Sequence, residues 1–347
     1  MMGGLTVVGY AAKTAAASLE RVAFAAPSLG VGEVRVGVTH CGVCHTDVHA
    51  IDNDFGEFPF PVVPGHEIAG RVDEVGVGVT RFAVGDRVGI GWQGRCCQEC
   101  EWCLCGEVHL CLDIVACGTW TPHGGFSSSV TVDERFAYRL PETMRSDVAA
   151  VLMCAGVTVY APLRRLADQG ICKVGVVGIG GLGHLALQFA SALGFEVAAL
   201  SSSPDKADEA RCFGADDFIV TSDRAAMQRA EYAFDALLCT APIGNAWGPL
   251  FMTLKKNGTV VLPAFSPVEL KLASGESISP LVDLVAHQLS IAGSFLGNHG
   301  DITDMLDFAS RHEVTPLIET MPMSQANTAI EMVRQNMPRY RIVLINN

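Results

Sequence analysis

Residues 174–183 read VGVVGIGGLG: a run of small and β-branched apolar residues feeds Gly178, Gly180 and Gly183 in GxGxxG spacing. Alone, that spacing fits any glycine-rich turn. Here the turn follows a strand-like segment and precedes His184–Leu193, which has helical period, so strand, turn and helix stand in the order that a dinucleotide fingerprint demands. In that reading Gly178 permits the tight turn, Gly180 lets the backbone approach a pyrophosphate, and Gly183 lets the helix pack on the sheet. Gly181 and Leu182 complete the turn. The helix N-terminus then attracts the phosphates.

Working outward, residues from about 156 alternate apolar strands with helical stretches. The strands are Lys173–Val177, Glu196–Leu200, Asp217–Val220, Phe234–Cys239, Thr259–Leu262 and Ser290–Gly293. Six strands with intervening helices predict a doubly wound parallel sheet over 156–294. Upstream the pattern is different. Short strands at Val34–Val38, Glu67–Val75, Arg87–Gly91 and Ser127–Val132, separated by Gly and Pro clusters, predict a mostly β domain over 1–155, with surface turns in the alanine-rich segment near 11–26. After about 295 come a helix near Ile302–Arg311, a strand at Leu317–Thr320, a helix near Gln325–Gln335 and a last strand, Arg341–Ile345.

Cysteine spacing carries the chemistry. Cys97, Cys100, Cys103 and Cys111 let one looping segment wrap a tetrahedral Zn²⁺, a closed structural site, with Cys96 the plausible substitute for Cys97. Nucleic-acid-binding zinc ribbons use similar pairs, but Glu99, Glu101 and Glu107 make this segment acidic and favour a structural loop. Cys44, His66 and Cys154 lie far apart in the chain and number only three, as the ligands of a catalytic zinc do, leaving the fourth position to water or substrate.

Bulk properties narrow the class. At 347 residues the chain suits two domains, and 49% hydrophobic residues indicate a globular protein. A net charge of −13 without a long basic run argues against nucleic-acid or anionic-membrane partners. The N-terminus has no signal-like apolar core, no uninterrupted apolar stretch reads as a membrane span, and the chain is expected in the cytoplasm. Thirteen cysteines in a large acidic chain read as metal ligands and reduced thiols rather than a disulfide scaffold.

The motifs GVCHTD (42–47), PGHE (64–67), the four-cysteine segment, CAGVTVY (154–160) and GIGGLGH (178–184) occur in the same order in the zinc-dependent medium-chain alcohol dehydrogenases. From about residue 30 onward the chain resembles their cinnamyl alcohol dehydrogenase branch. The resemblance implies a GroES-like β-barrel catalytic domain over 1–155, completed by 295–347, beside a Rossmann domain, and a homodimer. It also assigns roles. Glu67 lies behind the catalytic metal, Asp47 is the acceptor for the His66 ring, Thr46 and His49 relay the proton to solvent, and His45 contacts the pyrophosphate. Thr158 and Arg341 are expected at the cofactor.

Cofactor choice turns on the end of the second strand of the parallel sheet, where NAD enzymes usually carry an acidic residue. Ser201, Ser202 and Ser203 stand there instead, with Lys206 beyond them, a pattern that favours the 2′-phosphate of NADP(H). Asp205 keeps NAD open, although it reads more simply as a helix cap. Trp92, Phe295 and Leu296 are expected to line an apolar pocket for primary alcohols and aldehydes, either benzylic and cinnamyl or medium-chain aliphatic. Residues 113–125 look shorter than in many plant-type members. A polyol or sugar dehydrogenase of the same superfamily, a zinc-free quinone reductase and a noncatalytic zinc-stabilised nucleotide-binding protein are the alternatives.

Overall fold

The computed structural model describes residues 5–56, 58–118, 123–244, 247–264 and 280–346. The chain divides into two compact units, one of residues 1–154, 297–311 and 315–347 and the other of residues 155–296 and 312–314.

The second unit is built on a six-stranded, wholly parallel sheet. Its spatial order is Asp217–Val220, Glu196–Ser201, Lys173–Val177, Phe234–Cys239, Leu254–Leu262, Ser290–Gly293. The strand Lys173–Val177 lies between its sequence successor and Phe234–Cys239, so strand order reverses beside it. In open α/β sheets a ligand crevice forms at that reversal, beyond the carboxyl ends of the strands. Both faces of the central strands are buried, which explains their unbroken apolar runs: Val174 and Val176 are fully inaccessible, as are Leu200 and Leu237. After Val177 the chain turns at Gly178 with φ +88° and enters the helix Gly183–Ala192. A Cβ on Gly183 would meet the Gly178 carbonyl oxygen at 1.9 Å, so only glycine allows the helix to start so close to the strand.

The first unit carries a seven-stranded sheet in the order Ile318–Pro322, Arg341–Ile345, Glu33–Val43, Glu67–Val75, Arg87–Ile90, Ala137–Arg139, with Ser129–Asp133 pairing on Glu33–Val43. The strand Glu33–Val43 is long because it serves two partners along one edge. Its first half pairs with Ser129–Asp133 and its last residues with Arg341–Ile345. Its other edge runs antiparallel to Glu67–Val75 through two register shifts. The core beneath includes Val34, Val36, Ile68, Val88, Phe126, Ile342 and Leu344.

Several elements differ from the sequence reading. The segment near 11–26 is not only turns: Thr6–Ala11 pairs antiparallel with Glu20–Ala25. Helical structure runs continuously from Ser146 to Asp168, with a π-turn over Leu152–Gly156. By length and hydropathy that run qualifies as a membrane span, yet 94% of its apolar window is buried inside the protein, the signature of a core helix. Residues 119–122, within the segment read as short, lie outside the described residues.

Candidate metal centres and cofactor site

Strand register assembles the first centre. Gly42 is paired with Glu67 and Ile342 with Val43, so Cys44, just past one strand, His66, just before the next, and Arg341 on a third all fall at one end of the sheet. Cys154 arrives from the π-turn, a local widening of the helix that recurs at functional sites. One ligand atom each from Cys44, His66, Glu67 and Cys154 lies within 4.8 Å of all the others. Asp47, fully buried, fastens the group. One carboxylate oxygen accepts the backbone N–H of Cys44 (2.9 Å), and the other accepts the N–H of Gly65 (2.8 Å) and Nδ1–H of His66 (3.1 Å). With its proton on Nδ1, His66 keeps the Nε2 lone pair for a metal.

The donor chemistry fits Zn²⁺. Hydrogen bonding with Cys154 brings the Cys44 thiol well below its ordinary range, with His66 assisting against burial. Cys154 is held well above it by the same contact and by burial, since a second thiolate beside the first is unfavourable without a cation. Burial lifts Glu67 to about 7 against the pull of Arg341. The Oε2 atom of Glu67 is buried with no hydrogen-bond partner among the described residues, as is the Nε atom of Arg341. A divalent ion would balance this buried excess of negative groups. Arg341, expected at the cofactor, forms a buried ion pair with Glu67 through its guanidinium.

The second centre is the loop of Cys97, Cys100, Cys103 and Cys111, whose sulfurs also lie within 4.8 Å of one another. Sulfur separations are 3.4 Å for Cys97 to Cys111 and 3.9 Å for Cys97 to Cys103. A tetrahedron with zinc–sulfur bonds of ~2.3 Å has edges of about 3.8 Å, so the spacing suits zinc. Backbone N–H groups of Cys97 and Cys100 donate to cysteine sulfurs at 3.4 Å, supporting thiolate character. Cys96 is buried beside the cluster but outside the four.

Around the first centre, Thr46 Oγ1 lies 3.7 Å from Cys44 Sγ. His45 and His49 follow on the helix His45–Asp52, and His49 Nδ1 is 2.5 Å from Asp54 Oδ2. Asp54 escaped the sequence reading. Trp92 is buried in the same unit.

In the parallel-sheet unit, no atom lies within 4 Å of a Cβ built on Gly180, which leaves a cradle open to a phosphate. The turn is braced from three sides. Thr240 Oγ1 donates to the Gly178 carbonyl (2.7 Å), His184 Nδ1 lies 3.0 Å from the Gly180 carbonyl, and Lys206 Nζ donates to the Ile179 carbonyl (2.7 Å). Thr240, also missed from sequence, stands one residue past the neighbouring strand. Ser201 is buried and accepts the N–H of Ser203 through Oγ, while Ser202 is exposed and Ser203 half-buried. Asp205 lies in the 3₁₀ turn Pro204–Lys206, one residue ahead of Lys206, which holds the N-cap position of the helix Ala207–Cys212. Thr158 is buried in the helix Val157–Asp168, and Phe295 and Leu296 are half-buried.

Comparison with known proteins agrees with these two centres and the nucleotide fold. Residues 30–142 match the alcohol dehydrogenase GroES-like domain and residues 181–311 the zinc-binding dehydrogenase domain. The "Probable cinnamyl alcohol dehydrogenase 1" of Nicotiana tabacum is 38% identical, covering 99% of this chain and 98% of the relative. The chain belongs to the zinc-dependent medium-chain alcohol dehydrogenases, in their cinnamyl alcohol dehydrogenase-like branch. Another relative of this dehydrogenase is the "Probable mannitol dehydrogenase" of Mesembryanthemum crystallinum, 37% identical over 97% of the chain and 93% of the relative. The crystal structure of the Helicobacter pylori cinnamyl alcohol dehydrogenase complexed with NADP(H) superposes with a TM-score of 0.85, at 27% identity and 98% coverage of both chains. The enzyme is thus an oxidoreductase acting on CH–OH groups, with a GroES-like and a Rossmann-like domain.

Proposed function

We propose that this dehydrogenase reduces an apolar aldehyde, aromatic or medium-chain aliphatic, with NADPH, and oxidises the matching primary alcohol in reverse. The observation that carries the proposal is the Cys44, His66 and Cys154 set held in register by Asp47. When bound, zinc supplies Lewis-acid polarisation of the carbonyl and the nicotinamide supplies the hydride. The chain's own groups do the rest. Asp47 fixes the His66 tautomer, Arg341 offsets the charge of Glu67, and the Thr46 hydroxyl beside Cys44 begins a proton path that His49 and Asp54 carry to the exposed face.

NADP(H) is supported at strand end Glu196–Ser201, where serines follow the turn and Lys206 sits against the glycine loop. A ribose 2′-phosphate finds hydroxyl donors and a cation there, and no acidic residue at 201–203 repels it. The buried indole of Trp92 supports an apolar substrate. We also propose a cytoplasmic homodimer. Ser290–Gly293 pairs on one side only among the described strands, and the helix Pro280–Ala286 nearby in sequence exposes Leu281, Val282 and Val285, at 50%, 53% and 71%. Light scattering checks the dimer.

The test of function is a substrate panel of cinnamaldehyde, hexanal and mannitol, run with both nicotinamides. The proposal expects the two aldehydes to lead and kcat/KM to favour NADPH. A ratio of NADPH to NADH at or below one rejects the cofactor assignment, and mannitol as the leading substrate rejects the apolar pocket.

A further inference from the structure

We infer that His45 and His49 form a third zinc site, distinct from the two cysteine-rich centres and filled only when Zn²⁺ is in excess. The two histidines stand four residues apart on the helix His45–Asp52, the spacing by which one helical face presents two imidazoles to a single ion. Their ring centroids are 6.4 Å apart with planes inclined at 44°. Two imidazoles sharing one zinc through N–Zn bonds of ~2.0–2.1 Å place their centroids about 5 Å apart. Rotation of the exposed His45 ring closes the remainder.

The second observation is Asp54. Its carboxylate contacts Nδ1 of His49 at 2.5 Å, the same ring nitrogen that Asp47 engages on His66. A carboxylate on Nδ1 fixes the proton there and leaves Nε2 as an oriented, more basic donor, the arrangement that supports metal-binding histidines generally. Phe55 packs against the His49 ring with centroids 5.5 Å apart, holding its orientation from another side. Water completes the coordination, the protein supplying one nitrogen from each imidazole.

The consequence rests on the function proposed above: an ion here withdraws His49 from the proton path, so excess zinc lowers kcat for alcohol oxidation. The test begins with enzyme dialysed to its two tightly held zinc ions. Calorimetric titration with Zn²⁺ is expected to show one further equivalent per chain. His45→Asn and His49→Gln are each expected to weaken it at least tenfold while retaining the first two ions, and Asp54→Asn to weaken it several-fold. Absence of a third equivalent overturns the site, as does a third equivalent that His45→Asn leaves unchanged. The stoichiometry is read without turnover. A bound third ion in protein that does not oxidise NADPH with any aldehyde therefore refutes the enzymatic reading and leaves the site standing.

Discussion

Asp47 accepts the ring N–H of His66 across 3.1 Å, and neither side chain exceeds 1% exposure. The same carboxylate holds the N–H groups of Cys44 and Gly65. It thus joins the two chain segments that deliver metal donors. Asp47→Asn keeps the shape but offers an amide that cannot serve all three donors. Zinc affinity at the first centre should fall by about ten- to a hundredfold, the usual effect of losing such a partner, while the four-cysteine centre keeps its ion. Chelator competition followed by metal analysis checks the expectation: loss of one zinc of two per chain.

The four-cysteine loop should release its zinc as pH falls. With the metal bound, the thiols carry no protons. Without it, burial pushes Cys103 and Cys111 to about 12, so both bind protons near neutrality, and Cys100, lowered to about 7 chiefly by a backbone hydrogen bond from Cys103, joins them below that value. Proton uptake therefore accompanies release, and affinity rises with pH, most steeply below about 7. Titration with a chromogenic chelator at several pH values should show this slope, and Cys111→Ser should lower thermal stability more than it lowers kcat.

Much of this was legible in the chain. The six parallel strands and the glycine turn follow from unbroken apolar runs and one fingerprint, because burial on both faces leaves little choice of residue. The ligand sets were legible as types and spacings. What sequence does not show is register. Nothing in the spacing says that Gly42 pairs with Glu67 or that Arg341, 274 residues away, pairs its guanidinium with Glu67. Asp54 follows Asn53, which ends its helix in a left-handed conformation at φ +59°, so helical periodicity cannot place it beside His49. The helix through Cys154 was obscured by Gly156 and by Pro162, both poor helix signals, although neighbouring helix and sheet packing override them. The first hairpin hides in an alanine-rich segment whose alternation is weak.

Coenzyme preference should yield to charge. Ser202→Asp places a carboxylate at the exposed end of the second parallel strand, where it repels a 2′-phosphate and accepts from a free ribose hydroxyl. The ratio of kcat/KM for NADPH over NADH should drop at least tenfold, about 1.4 kcal/mol. Lys206→Ala should lower the same ratio chiefly through KM for NADPH.

Removing the relay should cost rate rather than binding of aldehyde. His49→Gln is expected to lower kcat for alcohol oxidation by about 10²-fold, the lower end of general acid–base effects, with partial rescue by added imidazole buffer. Asp54→Asn, which leaves the imidazole in place but loosens its orientation, should show a smaller loss in the same direction. Steady-state kinetics of both variants, with zinc content verified, measures the difference.

The account rests on a metal held by Cys44, His66 and Cys154, and zinc-edge anomalous diffraction from crystals of the intact enzyme tests it most directly. Two peaks per chain are predicted, one among those three side chains and one among Cys97, Cys100, Cys103 and Cys111. A zinc-replete crystal with no peak between Cys44 and Cys154 would contradict it.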